Sequence, residues 1–204
     1  MDIFSLASII GTIAFALSGF LVGARKELDV MGIFILAMLT ANGGGAARDV
    51  VVGRLPGVLT DIYAFLIVVG VIAGALLFRL HTHTQLEKHR LFVLSDSLGL
   101  VAFSITGALV GIEEGLSIFG VMVLAFFTAS GGGVLRDVMV NQIPSVLSSD
   151  FYGSVAILLA ASLYGLHAYG LDNDVSIAIL FIAALALRLV AYRCQWRLPR
   201  IRMK

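Results

Sequence analysis

Charge is what this 204-residue chain has least of. Only 13% of its residues are Asp, Glu, Lys or Arg, where a soluble domain carries about 25%. Against that scarcity, 59% of the residues are hydrophobic and the mean hydropathy is +1.01. Such a chain leaves almost no room for a soluble domain. There is one cysteine, Cys194, so an internal disulfide is excluded and the redox compartment is not readable from it. His81, His83 and His89 have no ligand spacing on a defined helix and read as a solvated link, so metal binding has little support. No nucleophile–base spacing occurs either, which argues against an enzyme, and no motif calls for a cofactor. The net charge of +1 gives no reason to expect a nucleic-acid partner. The N-terminus lacks a basic region ahead of its first apolar run, so it reads as a retained span rather than a signal peptide.

What the chain does have is long apolar runs. A span needs about 20 mostly apolar residues. Seven segments qualify, at roughly 2–23, 30–53, 61–80, 91–111, 117–140, 150–170 and 174–193. The expected fold class is therefore an all-α integral membrane protein with seven transmembrane helices.

The few charges are placed unevenly. The links after spans one, three, five and seven carry Arg25, Lys26, Arg79, Lys88, Arg90, Arg193, Arg197, Arg200, Arg202 and Lys204. The opposite side carries only Arg54. The positive-inside rule then puts the N-terminus outside and the C-terminus in the cytoplasm. The basic tail makes anionic lipid heads a candidate partner, although an orientation signal suffices.

One phrase occurs twice. Residues 42–59 read NGGGAARDVVVGRLPGVL and residues 130–147 read SGGGVLRDVMVNQIPSVL, with 10 of 18 positions identical at an offset of 88. The same offset relates Phe15 and Gly19 to Phe103 and Gly107, and Gly32, Leu36 and Thr40 to Gly120, Leu124 and Thr128. Each copy thus covers three spans. An odd number turns the second copy upside down, which is an inverted-topology repeat. The implied division is residues 1–88, residues 89–173, and a seventh span with its tail at 174–204.

Three consecutive glycines weaken a helix by about 1 kcal/mol each relative to alanine. Gly43, Gly44 and Gly45, and likewise Gly131, Gly132 and Gly133, therefore permit a kink or unwinding of spans two and five. They also permit plain close packing. Freed carbonyls, with Thr40, Asn42, Thr128 and Ser130, could coordinate a cation or a polar solute. Arg48–Asp49 and Arg136–Asp137 follow directly. Each Arg could pair with its neighbouring Asp, or the pairs could cross as Arg48–Asp137 and Arg136–Asp49. Asp96 replaces Ser8 at the shared offset, and is a candidate gating or coupling group as much as a cap or an interfacial charge. Pro56 and Pro144 read as helix stops or re-entrant turns. Arg188 is expected to snorkel to the nearby interface.

The doubled GGGxxRD-V pattern, with FALSG at 15–19 and SDSLGL at 95–100, resembles the bacterial branch of the TRIC family, the trimeric intracellular cation channels. The resemblance covers nearly the whole chain. It implies a homotrimer with one pore per subunit, lined by kinked second and fifth helices at the two glycine–arginine–aspartate motifs. The permeant would be a monovalent cation, chiefly potassium, with sodium as a second candidate. The location would be the bacterial inner membrane. Residues 91–111 contain no Lys or Arg, which argues against the voltage sensor of animal members in that span. Bacterial proteins of this type are also linked to glycine uptake, so a secondary transporter of a small zwitterion stands as the alternative. Glycine- and alanine-rich faces of spans one and four are the expected subunit interface.

Overall fold

The computed structural model describes residues 2–82, 85–148 and 151–196, without the side chains of 81, 85–88 and 148. Every regular element among them is helical. In chain order these are α1 (Ile3–Arg25), α2 (Val30–Val51), α3 (Gly57–Thr60), α4 (Tyr63–Leu77), α5 (Gln85–Glu113), α6 (Ile118–Met139), α7 (Ser145–Ser148), α8 (Tyr152–Ala168) and α9 (Asp174–Arg193), with a short 3-10 turn at Leu80–Thr82.

Local chemistry explains the boundaries. Asp2, Asp29, Ser117 and Asn173 each accept a hydrogen bond from the backbone N–H three residues on, which caps α1, α2, α6 and α9. At the far end of α2, Gly53 turns left-handed (φ 73°), and the Arg54 N–H bonds back to the Asp49 carbonyl at 2.8 Å. The same closure follows α6 at Asn141 (φ 53°), where the Gln142 N–H reaches the Asp137 carbonyl.

Among the described residues, five helices are long and apolar enough to cross a bilayer: α1, α2, α6, α9 and the His89–Glu113 part of α5. The apolar helices α4 and α8 are shorter, 15 and 17 residues. At about 1.5 Å per residue they fall short of a hydrocarbon core of about 30 Å. The link expected over 81–90 is partly helix, because α5 already begins at Gln85. Within it, the exposed His89 ring meets the Tyr192 hydroxyl at 2.5 Å. The basic residues expected at 197–204 lie outside the described residues.

Helices α1 and α5 form the centre of the bundle. Their apolar windows are 67% and 78% buried, against 22% for α9 and 28% for α2. The small-residue faces of α1 and α5, expected at a subunit interface, pack inside the subunit. Phe15 packs over Gly99, where a Cβ would overlap its ring, and Phe103 sits 3.0 Å from the Cβ position of Gly11. The two rings meet with centroids 5.4 Å apart. These partners are themselves related by the offset of 88.

Charged side chains tie the ends together. Arg54 pairs with Glu113 at 3.2 Å and with Glu114, joining the segment after α2 to the end of α5. At the opposite end Arg25 donates to the Gln142 side chain at 3.4 Å.

Candidate functional site

Helices α2 and α6 cross at their glycine triplets. A Cβ on Gly44 would overlap the Thr128 carbonyl oxygen, and a Cβ on Gly132 would overlap that of Thr40. Only hydrogen fits at the crossing, so the middle glycines serve close backbone approach. Both helices run through their triplets without a break. The unwinding that the triplets permit is not used, and no freed ring of carbonyls forms there. The Thr40 and Thr128 hydroxyls are buried and donate to their own helices, at the Leu36 and Leu124 carbonyls (2.6 and 2.7 Å). Ser130 does likewise to the Phe126 carbonyl.

One turn further on, each arginine pairs with its own neighbour. Arg48 donates from Nε and Nη2 to Asp49 Oδ1, at 2.9 and 2.7 Å. Arg136 donates from Nε to Asp137 Oδ1 at 2.8 Å. The crossed pairing is absent. The second carboxylate oxygen of each aspartate holds the chain after the proline: Asp49 accepts from the Gly57 N–H (3.0 Å), and Asp137 from the Ser145 N–H (2.7 Å) and hydroxyl (2.9 Å). The motif is thus an arginine bound to an aspartate that anchors the short helix behind Pro56 or Pro144.

The surroundings differ. Arg48 lines a cavity of about 610 Å³ between α1, α2 and α4. Ser5, Ser8, Thr12, Asn42 and Asp49 supply its polar wall, Gly45 and Ala64 its small-residue wall, and exposed Gly57, Asp61 and Tyr63 its mouth. The Phe4 ring lies 5.6 Å from the guanidinium. Arg136, by contrast, is 0% exposed. It also donates from Nη1 to Asp96 Oδ1 at 2.6 Å and to the Ser18 hydroxyl, and it lies 4.8 Å from the Phe92 ring centroid. Asp96 is therefore neither a cap nor an interfacial charge but a buried counter-ion. Arg188 does not snorkel: it is 4% exposed, with its guanidinium 4.9 Å over the ring of buried Tyr152.

Of the sequence candidates, Asn42, Gly45, Arg48 and Asp49 meet at the cavity, while Asp96, Gly133, Arg136 and Asp137 meet in the enclosed cluster. Sequence reasoning missed Ser18, Ala64 and Tyr152. The offset of 88 could have found the last two, since position 64 is small where position 152 is large.

An all-helical apolar bundle with paired charges inside it and no strand among its described residues defines an integral membrane protein. The comparisons narrow this. The family described as glycine transporter matches residues 5–79 and 93–168. The membrane protein YvgT of Bacillus subtilis is 34% identical over 95% of this chain and 94% of its own. A prokaryotic TRIC channel crystallised in 0.5 M KCl superposes with a TM-score of 0.89 at 32% identity, over 96% of this chain and 98% of that one. The TRIC orthologue from Rhodobacter sphaeroides gives 0.88 at 29%, over 96% and 100%. The chain belongs to this glycine-transporter family, the bacterial branch of the TRIC proteins. Its matched relatives are membrane proteins and channels, not enzymes.

Proposed function

We propose that the chain is a potassium-permeable monovalent cation channel, with one pore in each subunit of a homotrimer. The observation that carries this reading is the cavity beside the glycine crossing. Its arginine is already neutralised by Asp49, so it does not repel a cation, and Asp61 adds negative charge at the mouth. Asn42, Ser5, Ser8 and Thr12 offer polar atoms for a partly dehydrated ion. The kinship with TRIC channels points the same way.

In this reading the two halves are inverted three-span repeats, with α4 and α8 as their third spans and α9 as a seventh span outside the symmetry. The second and fifth spans, kinked at their triplets, line the pore. The N-terminus and the cavity mouth face outward, and the basic links face the cytoplasm and its anionic lipids. The membrane is the bacterial inner membrane.

A second reading, a carrier of glycine or a similar zwitterion, is favoured by one specific observation. One Arg–Asp pair borders a cavity while its counterpart is sealed, as alternating access requires. Arg48 would then hold the carboxylate and Asp49 the ammonium.

Parallel flux into proteoliposomes of potassium and of labelled glycine separates the two. Voltage-driven, non-saturating potassium flux is the expected result. Saturable glycine uptake without conductance, lost in Arg48→Ala, would replace the channel with the carrier.

A further inference from the structure

The two copies close their first helices with the same turn and opposite charges. After α1, Glu27 is left-handed (φ 55°) and the Leu28 N–H bonds back to the Gly23 carbonyl at 3.1 Å. After α5, 88 residues on, Gly115 is left-handed (φ 66°) and the Leu116 N–H bonds back to the Gly111 carbonyl at 2.9 Å. The two residues before that turn are Arg25 and Lys26 in the first copy and Glu113 and Glu114 in the second. All four are exposed. Their partner changes with them. Glu113 meets Arg54 at 3.2 Å, whereas Arg25 meets Gln142, the counterpart of Arg54, at 3.4 Å. The backbone is repeated and the charge is reversed.

Each of these ends adjoins a glycine–arginine–aspartate motif. The Arg54 N–H bonds to the Asp49 carbonyl, and Gly57 and Asp61 beyond it form the cavity mouth. The Gln142 N–H bonds to the Asp137 carbonyl, and the Arg25 guanidinium lies 5.9 Å from the Phe92 ring that also faces Arg136. Arg54 offsets only part of the charge of Glu113, Glu114 and Asp61. At the other end Glu27 offsets only part of the charge of Arg25 and Lys26, and Gln142 offsets none. Membrane orientation accounts for the bases, which mark the cytoplasmic side. It does not account for the acids, because Asp and Glu contribute little to orientation.

We propose that this reversal polarises conduction: the acidic end gathers cations at the outer mouth, the basic end depletes them at the inner mouth, and inward current exceeds outward current. The inference rests on the channel reading. A charged mouth raises or lowers the local concentration of the permeant ion before it enters, so each end governs the current that starts from it. Glu113 and Glu114 act on inward current, and Arg25 and Lys26 on outward current. Neither pair needs to touch the ion, so salt screens the effect of both.

Inside-out patches of bacterial inner membrane carrying the full-length chain fix its orientation. Labelling of exposed Cys194 from the cytoplasmic bath checks that orientation in every variant. At about 0.1 M KCl on both sides, where the Debye length is about 10 Å, inward current is expected to exceed outward current by about twofold or more at equal and opposite voltages. Near 1 M KCl, where that length is about 3 Å, the ratio is expected to approach one. Glu113→Gln with Glu114→Gln keeps hydrogen-bond acceptors for Arg54 and is expected to lower inward current by about twofold at low salt, with outward current unchanged. Arg25→Gln with Lys26→Gln is expected to raise outward current by a similar factor, with inward current unchanged.

Equal currents in both directions at low salt would overturn the proposal, and so would a ratio that salt does not change. Rectification that survives both pairs of substitutions would overturn its assignment to these residues. If one variant does not fold, the other still decides, because each pair governs a different direction of current. A protein with no potassium current at any voltage would refute the channel reading itself. Ohmic potassium current leaves that reading standing and removes only the polarity.

Discussion

The Arg48–Asp49 and Arg136–Asp137 ends are written with the same phrase, yet one is the wall of a cavity and the other is core. What they share is local. Each aspartate is bidentate in function, with one oxygen on the arginine and the other on the backbone N–H at Gly57 or Ser145. What differs comes from elsewhere in the chain: Ser8 against Asp96, Ala64 against Tyr152, and the presence of α9 on one side only. A motif therefore fixes its own geometry, but its neighbours decide whether water reaches it.

That comparison breaks most readily at the arginines. Arg136→Ala removes the cation shared by two buried carboxylates, and losing one partner of a buried pair costs about 3–5 kcal/mol. Arg48→Ala, at a side chain bordering a cavity and holding one carboxylate instead of two, should cost less. Thermal unfolding in detergent measures both. Equal losses would mean that the two environments are energetically alike.

Next in size are the glycines at the crossing. Gly44→Ala and Gly132→Ala each drive a Cβ into a carbonyl, and overpacking of this kind costs about 1–3 kcal/mol. Gly45→Ala, whose nearest neighbour is Arg48 Nη2 at 4.0 Å, should be neutral or should stabilise α2 by up to about 1 kcal/mol. Melting temperatures check this. A Gly45→Ala variant as unstable as Gly44→Ala would remove the distinction between crossing and cavity wall.

The smallest effect belongs to the straps at the two ends. Arg54→Gln makes the ionic strap resemble the Gln142 one. Its effect should be slight and should vanish near 1 M salt, where the Debye length is about 3 Å. Hydrogen bonds donated by Arg54 to the Glu113 and Glu114 carboxylates raise the Arg54 pKa above its ordinary value. A raised pKa is a contribution present below the unfolded value and lost only as pH rises through the folded one. The Arg54 proton therefore gives no pH dependence near neutrality. A melting temperature of native protein that ignores salt, matched by the variant, would show that the strap contributes nothing.

Much of the fold was legible in the residues. The apolar runs located the helices to within a few positions, except at α5, where polar Gln85–Arg90 continue the helix. Asp29 and Ser117 cap the starts of α2 and α6, because a short side-chain oxygen satisfies an otherwise unpaired N–H, a signal that the apolar runs do not contain. The site was half legible. The offset of 88 singled out the charged pairs and flagged Asp96 as the odd residue. It did not reveal that Asp96 faces Arg136, because the contact joins residues 40 positions apart on different helices. The same reason defeated the expectation for Arg188: only the placement of α9 against α8 puts its guanidinium over Tyr152.

Composition and pattern by themselves determined that this chain is an apolar helical bundle with two matched charged motifs, because burial of backbone polar groups in helices follows from apolar length. They also determined where the closest backbone contacts could fall, because only glycine lacks a Cβ. Tertiary structure alone decided that the triplets stay helical, that each arginine keeps its own aspartate, and that one copy is open and the other sealed. Those outcomes depend on which volumes are filled by side chains from distant helices, and no local sequence carries that information.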